Sequence, residues 1–284
     1  MNSNKIITYE PNQRSKKGLI TTWIILIKNI LENKDLIIQL FKRDFLMSYK
    51  KSFLGMSWLI LTPIMGIISW VFMNAIGVLA PGDVGIPYPA YLLISTSIYG
   101  LFVSFFGGAS GTLSAGSGFI TQVNFPHEAL LIKQTLQQLA NFTITFAITI
   151  LTLLFFGVFP SWKIVLMPLL ILPMFFLGSA IGLITAVVSV VATDIQKAIG
   201  FLMTLIMYIT PVIYSPSKEG VALQNIIKWN PLTYLVCGVR DEIIYGKINN
   251  FDRFLYCSIA SFILFLFSWR LFYISEEKVI EKMI

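Results

Sequence analysis

Asp, Glu, Lys and Arg are spaced along the chain so that six long stretches hold none of them: 52–82, 84–127, 134–162, 164–193, 198–217 and 254–269. A helix that crosses a hydrocarbon core of about 30 Å needs about 20 apolar residues. Every stretch but the last meets that length by itself. The last is completed by Leu271, Phe272, Tyr273 and Ile274 beyond Arg270, whose long side chain reaches the headgroups from a helix end. The pattern predicts an all-α integral membrane protein with six spans, near 57–80, 90–115, 137–159, 164–191, 198–215 and 254–274. It lacks the roughly ten-residue alternating segments of a membrane β-barrel.

Before the first span the pattern changes character. Residues 1–18 are polar, with Pro11 and Gly18, and read as an arm. Between Leu19 and Tyr49, Leu36, Ile37, Leu40, Phe41 and Phe45 recur at helical spacing, with Asp35, Gln39, Lys42, Arg43 and Asp44 over much of the opposite face. Such an amphipathic helix lies in the membrane interface and does not cross; the plainer alternative is a basic anchor with no other task. The expected organisation is a cytoplasmic arm and interface helix over 1–56, a transmembrane domain over 57–274 and a tail over 275–284.

Ten of the 21 basic residues, from Lys5 to Lys51, precede the first span, and the positive-inside rule puts them in the cytoplasm. Six spans return the C-terminus, with Lys278 and Lys282, to the same side. The link from Pro81 to Pro89 has no Lys or Arg and suits the outside. Composition agrees: 56% of residues are hydrophobic and 12% charged, against about 25% charged in a soluble domain, and the mean hydropathy is +0.77. Disordered, fibrous and disulfide-stapled classes are excluded by the same values. The net charge of +7 comes largely from the N-terminal flank, so anionic membrane lipids explain it better than nucleic acid. No cleavable signal peptide is expected, because the first apolar span starts too late.

Several motifs punctuate this frame. Leu54-Gly55-Met56-Ser57-Trp58-Leu59-Ile60-Leu61-Thr62-Pro63 leads from the interface helix into the first span. Gly55 permits a bend, Trp58 suits the headgroup boundary and Pro63 relaxes the early helix. Asn124-Phe125-Pro126-His127-Glu128 opens a run that mixes apolar positions with Lys133, Gln134, Gln137 and Gln138, and Pro with an early Glu is good helix-start chemistry. A short surface helix near 124–136 is expected there, either as the plain start of span three or as a docking element. Thr210-Pro211-Val212-Ile213-Tyr214-Ser215-Pro216 closes span five, and Trp229-Asn230-Pro231-Leu232-Thr233 follows.

This ordered set, over residues 43–234, resembles the permease subunits of type-2 ABC exporters, particularly those that move polysaccharides, O-antigen or teichoic acids. Phe125 to Glu128 is similar to that family's Phe-Pro-Arg-Glu motif, and Asn230 to Thr233 to its Asn-Pro-Met-Thr element. Two positions depart: His127 stands where the family usually has Arg, and Thr193 precedes Asp194 where the family often has Arg. The resemblance implies a homodimer with two copies of a separate ATPase, which would hold ATP and Mg. That partner would push on Arg43 and Asp44 of the interface helix and on a coupling helix at Asn124, Phe125, Pro126, His127 and Glu128. It implies a channel along spans one, two and five, a lipid-linked polysaccharide as cargo, and a bacterial cytoplasmic (inner) membrane location. An exporter of drugs or small lipids is the alternative within transport.

The external segment 218–248 is too long and too apolar for a plain linker. It divides at Trp229-Asn230-Pro231 into two helical pieces, Val221 to Lys228 and Leu232 to Tyr245, with Asn230 as N-cap and Pro231 at the first helical position. Neither piece is long enough to cross, so a re-entrant hairpin fits, with an external amphipathic cap as the alternative. Aromatic faces stack on sugar rings, which makes Trp58, Trp70, Tyr99, Phe102, Phe106 and Tyr208 candidates for the channel wall, packing being the competing role. Gly100, Gly107, Gly108 and Gly111 favour close helix approach.

The missing chemistry narrows the class. The chain has no Gly-x-x-x-x-Gly-Lys-Ser/Thr stretch to cradle ATP phosphates, so energy must come from elsewhere. One histidine and two cysteines, Cys237 and Cys257, make a metal site or a Cys/His nucleophile improbable. The spans carry no acidic residue, which weighs against an ion-coupled carrier. A membrane-embedded transferase would want a polar cluster at one face; Arg240, Asp241 and Glu242 form the compact one outside the N-terminal flank, and polar support of the hairpin is their simplest role.

Overall fold

Helix α4, Tyr88–Ser110, is the axis of the molecule in this computed structural model, which describes residues 18–50, 54–113, 127–216 and 224–283. Two glycines explain how a helix so rich in rings becomes the most enclosed element. On α6, Leu172–Ser189, a Cβ at Gly178 would lie 2.8 Å from the Phe102 carbonyl, and one at Gly182 would lie 2.6 Å from the Phe106 carbonyl. Spaced four apart, they let the two backbones touch, the small-residue contact that drives helix association where lipid supplies no hydrophobic force. By contrast, Gly100 and Gly107 face open space.

Around this pair the other elements follow in order. Helices α1 (Leu19–Glu32) and α2 (Lys34–Lys50) precede α3 (Trp58–Ala75); α5 (His127–Phe155) packs on α4, and a 3-10 turn at Trp162–Leu166 leads into α6. Helix α7 (Asp194–Ile206) ends in a 3-10 turn, Met207–Ile209; α8 (Gln224–Trp229) and α9 (Pro231–Tyr245) form a broken pair; α10 (Phe251–Met283) lies along α6. Among the described residues, five segments are long and apolar enough to cross a membrane: Trp58–Ala75, Tyr88–Ser110, Glu128–Phe155, Trp162–Ser189 and Phe251–Ser275. The chain is an all-α, multi-pass membrane protein.

Four expectations change in detail. The stretch expected to cross over 198–215 is α7 followed by irregular chain, and its 13 helical residues reach only about 20 Å at 1.5 Å per residue. The helix expected near 124–136 and the span expected over 137–159 are one continuous helix from His127, because nothing between Glu128 and Phe155 breaks it; Asn124, Phe125 and Pro126 lie outside the described residues. The interface helix is two helices, parted at Asn33, whose side chain bonds back to the Asn29 carbonyl at 2.8 Å. The tail expected over 275–284 continues α10 as helix to Met283.

The apolar face of α2 turns to protein: Ile37 and Leu40 are buried against Ala129 and Leu130 at the start of α5. α2 keeps Ile38, Leu46 and Met47 exposed, and on α1 Ile20, Ile24, Ile27 and Leu31 form an exposed stripe while Leu26 packs towards α10. Helix α3 buries Ile67 and leaves most of its other apolar side chains exposed.

Candidate functional site

Three features carry the candidate chemistry: the irregular chain after α7 with the α8–α9 pair, a groove between α3, α4 and α5, and the place where α1 and α2 meet the start of α5.

After α7, backbone from Ile209 to Ser215 leaves the α-helix, and its carbonyls need donors. Non-helical backbone at membrane depth is tolerated only where it is buried and satisfied. The Tyr88 hydroxyl donates to the Ile213 carbonyl at 2.9 Å and that of Tyr91 to the Tyr214 carbonyl at 2.6 Å; Arg240 Nη1 donates to the Pro211 carbonyl at 3.0 Å. Asn230 does two jobs. Its Oδ1 accepts from the Leu232 N–H at 3.0 Å as the N-cap of α9, and its Nδ2 donates to Thr210 Oγ1 at 2.9 Å and the Ile209 carbonyl at 3.3 Å. Pro231 at the first helical position needs no N–H partner. Thus the two helical pieces and their Asn-Pro junction are as the sequence predicts, with Trp229 at the break 87% exposed.

The α9 end closes against the loop before α6. Lys163 Nζ donates to the Gly246 carbonyl at 2.6 Å and lies 3.5 Å from Glu242 Oε1, while the Ser161 N–H donates to the Ile243 carbonyl at 2.7 Å. Gly246 takes φ +67°, the left-handed cap that favours glycine. Asp241 accepts from Asn249 at 2.8 Å. Glu242 thus pairs with Lys163, while Asp241 joins Asn249 to Arg240. Cys237 and Cys257 are both free thiols, and no group of three or more metal-ligating side chains occurs among the described residues.

The groove, about 530 Å³, lies between α3, α4 and α5. Trp58 and Trp70 supply aromatic faces, while Thr62, Ser104, Gln138, Asn141 and Thr145 supply neutral hydroxyls and amides. Edge contact with Trp70 brings in Tyr208, ring centroids 6.0 Å apart. The other three aromatic candidates sit elsewhere. Tyr99, Phe102 and Phe106 are buried in the core of the subunit, Tyr99 donating its hydroxyl to the Met203 carbonyl of α7. Packing of α4 on α6 and α7 accounts for their burial, and Phe102 also borders a second, largely apolar cavity of about 460 Å³ beside α7 and α8.

Where α2 meets the start of α5, Asp44 on α2 accepts from Lys133 on α5 at 2.7 Å and from Arg43 at 2.9 Å. Partial burial works against its charge, yet the hydrogen bonds and positive charges of Lys133 and Arg43 outweigh that and hold the carboxyl below its ordinary value. Glu128 is 2% exposed and accepts from the Asn29 side chain of α1. It therefore does not face outward as a contact residue would; it fastens α1 to α5. His127 is the first residue of α5. The sequence shows Lys133 and Tyr91 only as members of a run and of an aromatic stretch, and does not show their pairing or that of Asn29 and Lys163, because each acts through a partner far along the chain; Gly178 and Gly182, spaced four apart in an apolar run, were a signal available.

A bundle of apolar helices, a neutral aromatic groove and polar side chains used as structural ties define a membrane permease. The sequence profile of the ABC-2 type transporter family matches residues 35–244. The chain belongs to that family, as a non-catalytic permease subunit. It is 23% identical over 244 residues to the O-antigen export system permease protein RfbA of Myxococcus xanthus, covering 85% of this chain and 92% of that protein. Two proteins of the same name from Klebsiella pneumoniae are 22% identical over 220 residues and 23% over 236, with 82% and 88% of their lengths covered.

Proposed function

We propose that this chain is the membrane-spanning subunit of an ATP-driven exporter that moves a lipid-linked polysaccharide, of O-antigen, capsule or teichoic acid type, across the bacterial cytoplasmic membrane. It works as a homodimer with two copies of a separate ATPase, which binds ATP and Mg. The observation that carries the reading is the groove between α3, α4 and α5. Thr62, Ser104 and Gln138 offer a hydroxyl-rich sugar chain neutral hydrogen-bonding groups, and its rings lie on Trp58 and Trp70. Among the described residues the groove has no charged side chain in its wall, which suits sliding over tight binding. The exposed face of α3 meets the second copy and closes the groove into a path.

In this reading α7 with its unwound end makes the sixth crossing, both termini are cytoplasmic, and α8 and α9 form a re-entrant hairpin at the outer mouth. The ATPase docks at the start of α5, near Asn124 to His127, and at Arg43 of α2. The relatives named for O-antigen export support the cargo class. Co-purification of the tagged chain from its native membrane in mild detergent, with mass spectrometry of what accompanies it, tests the whole assignment. A stoichiometric P-loop ATPase and a lipid-linked glycan are expected. An ATPase with only small lipids would replace the cargo, and no ATPase at all would overturn the proposal.

A further inference from the structure

Arg240 is 3% exposed, and its guanidinium is spent entirely on other parts of this chain. Nη1 donates to the Tyr91 hydroxyl at 2.7 Å, the Pro211 carbonyl at 3.0 Å and Ser95 Oγ at 3.3 Å, and the group lies 4.6 Å over the Tyr91 ring. Its one close carboxylate, Asp241, is 3.4 Å away and is shared with Asn249. Replacing buried ionic groups by well-packed apolar side chains often costs no stability, which directs attention to the geometry that Arg240 fixes. The geometry is a three-way node: α9 supplies Arg240, the core helix α4 supplies Tyr91 and Ser95, and the unwound exit of α7 supplies the Pro211 carbonyl. The Tyr91 hydroxyl also donates to that carbonyl, at 3.2 Å.

We propose that Arg240 is a positioning residue for transport, which with Tyr91 locks α4, the exit of α7 and α9 into one body, so that motion imposed at the inner helix ends reaches the outer mouth. This rests on the export reading above. Arg240 touches no cargo; it acts by fixing the α8–α9 pair, whose Trp229 stands exposed at the break.

The test uses the full chain with Arg240→Lys and, in case that variant fails to fold, Tyr91→Phe, which keeps the ring under the guanidinium and removes only the bridging hydroxyl. Hydrogen exchange in detergent needs neither cargo nor ATPase. Amides of residues 209–216 and of the first turns of α9 are expected to exchange about tenfold faster in both variants, the effect of losing charge-assisted hydrogen bonds. Unchanged exchange overturns the node. In vesicles with the partner ATPase, export per ATP hydrolysed is expected to fall about tenfold while hydrolysis continues. Export and hydrolysis falling together, in proportion to folded protein, would make Arg240 merely structural and overturn the proposal. If the unsubstituted chain neither exports nor binds an ATPase, the export reading itself has failed, and that outcome is recognised without any variant.

Discussion

Asp44 and Lys133, 89 positions apart, meet at 2.7 Å and fasten α2 to the first turns of α5. The pair joins two segments on which an ATPase would act, so a push on either helix is felt by the other. Its strength depends on acid in a definite sense. Lys133 and Arg43 hold the Asp44 carboxyl below its ordinary value against the effect of burial. A carboxyl depressed in the folded state contributes stability that is complete above its unfolded value of about 4 and is lost as pH falls through the folded value. Docking of α2 is therefore expected to be constant at neutral pH and to loosen only in strong acid, with Asp44→Asn abolishing the acid step and weakening docking by on the order of 1 kcal/mol. Proteolysis of the α2–α3 link against pH reads this; an acid step that persists in Asp44→Asn would assign it to another group.

Gly182 sets the distance between α4 and α6. A methyl group there meets the Phe106 carbonyl and the Ala109 side chain, each at 2.6 Å, and overpacking of that kind destabilises by about 1–3 kcal/mol. Gly182→Ala is expected to lower the thermal midpoint of the solubilised chain. Gly107→Ala, with open space around it, is the control and should be neutral or stabilising, since Ala exceeds Gly in helix propensity by about 1 kcal/mol. Equal midpoints for the two variants would show that the helices are free to separate.

Residues whose partners are sequence neighbours were legible in the sequence, and those whose partners are distant were not. Asn230 and Pro231 cap and start α9 as the local pattern predicts, because a cap needs only the next two residues. The exit of α7 reads as apolar span when length alone is counted, yet it is unwound because Tyr88, Tyr91, Asn230 and Arg240 supply donors from elsewhere. Aromatic side chains announce a ring without its direction. Phe102 and Phe106 are buried where Gly178 and Gly182 bring α6 onto α4, and Tyr99 against Met203 of α7, whereas Trp58 and Trp70, on the exposed α3, line the groove. For α2, helical periodicity gave the apolar face correctly but not what covers it, which is α5.

The helix that meets lipid is accordingly expected to be α1. Ile20, Ile24, Ile27 and Leu31 form its exposed stripe, and a helix of this kind buries its apolar face at the headgroup boundary. A fluorophore attached at Ile24→Cys in a chain free of its native cysteines should be quenched by brominated lipids in reconstituted vesicles. One attached at Gln39→Cys on α2 should not. Equal quenching at both sites would return the interface role to α2.

The groove and the core make opposite predictions for aromatic substitutions, and this separates a cargo path from packing. Trp58 and Trp70 lie along the groove wall with Gln138 and Asn141, so Trp70→Ala should slow glycan export several-fold, in line with about 1 kcal/mol for a stacked ring, with little change in protein level. Gln138→Leu should slow export as well, because it exchanges a hydrogen-bonding wall for an apolar one. Tyr99→Leu should behave differently: its hydroxyl is bonded to the Met203 carbonyl inside the subunit, and losing a buried partner destabilises by about 1–3 kcal/mol. Its main effect should fall on folded protein, with export per folded molecule closer to normal. Export assayed in cells and divided by the amount of folded chain distinguishes the two. If Trp70→Ala exports at the normal rate and Tyr99→Leu does not, the polymer passes by another surface and the groove is a packing defect filled by lipid.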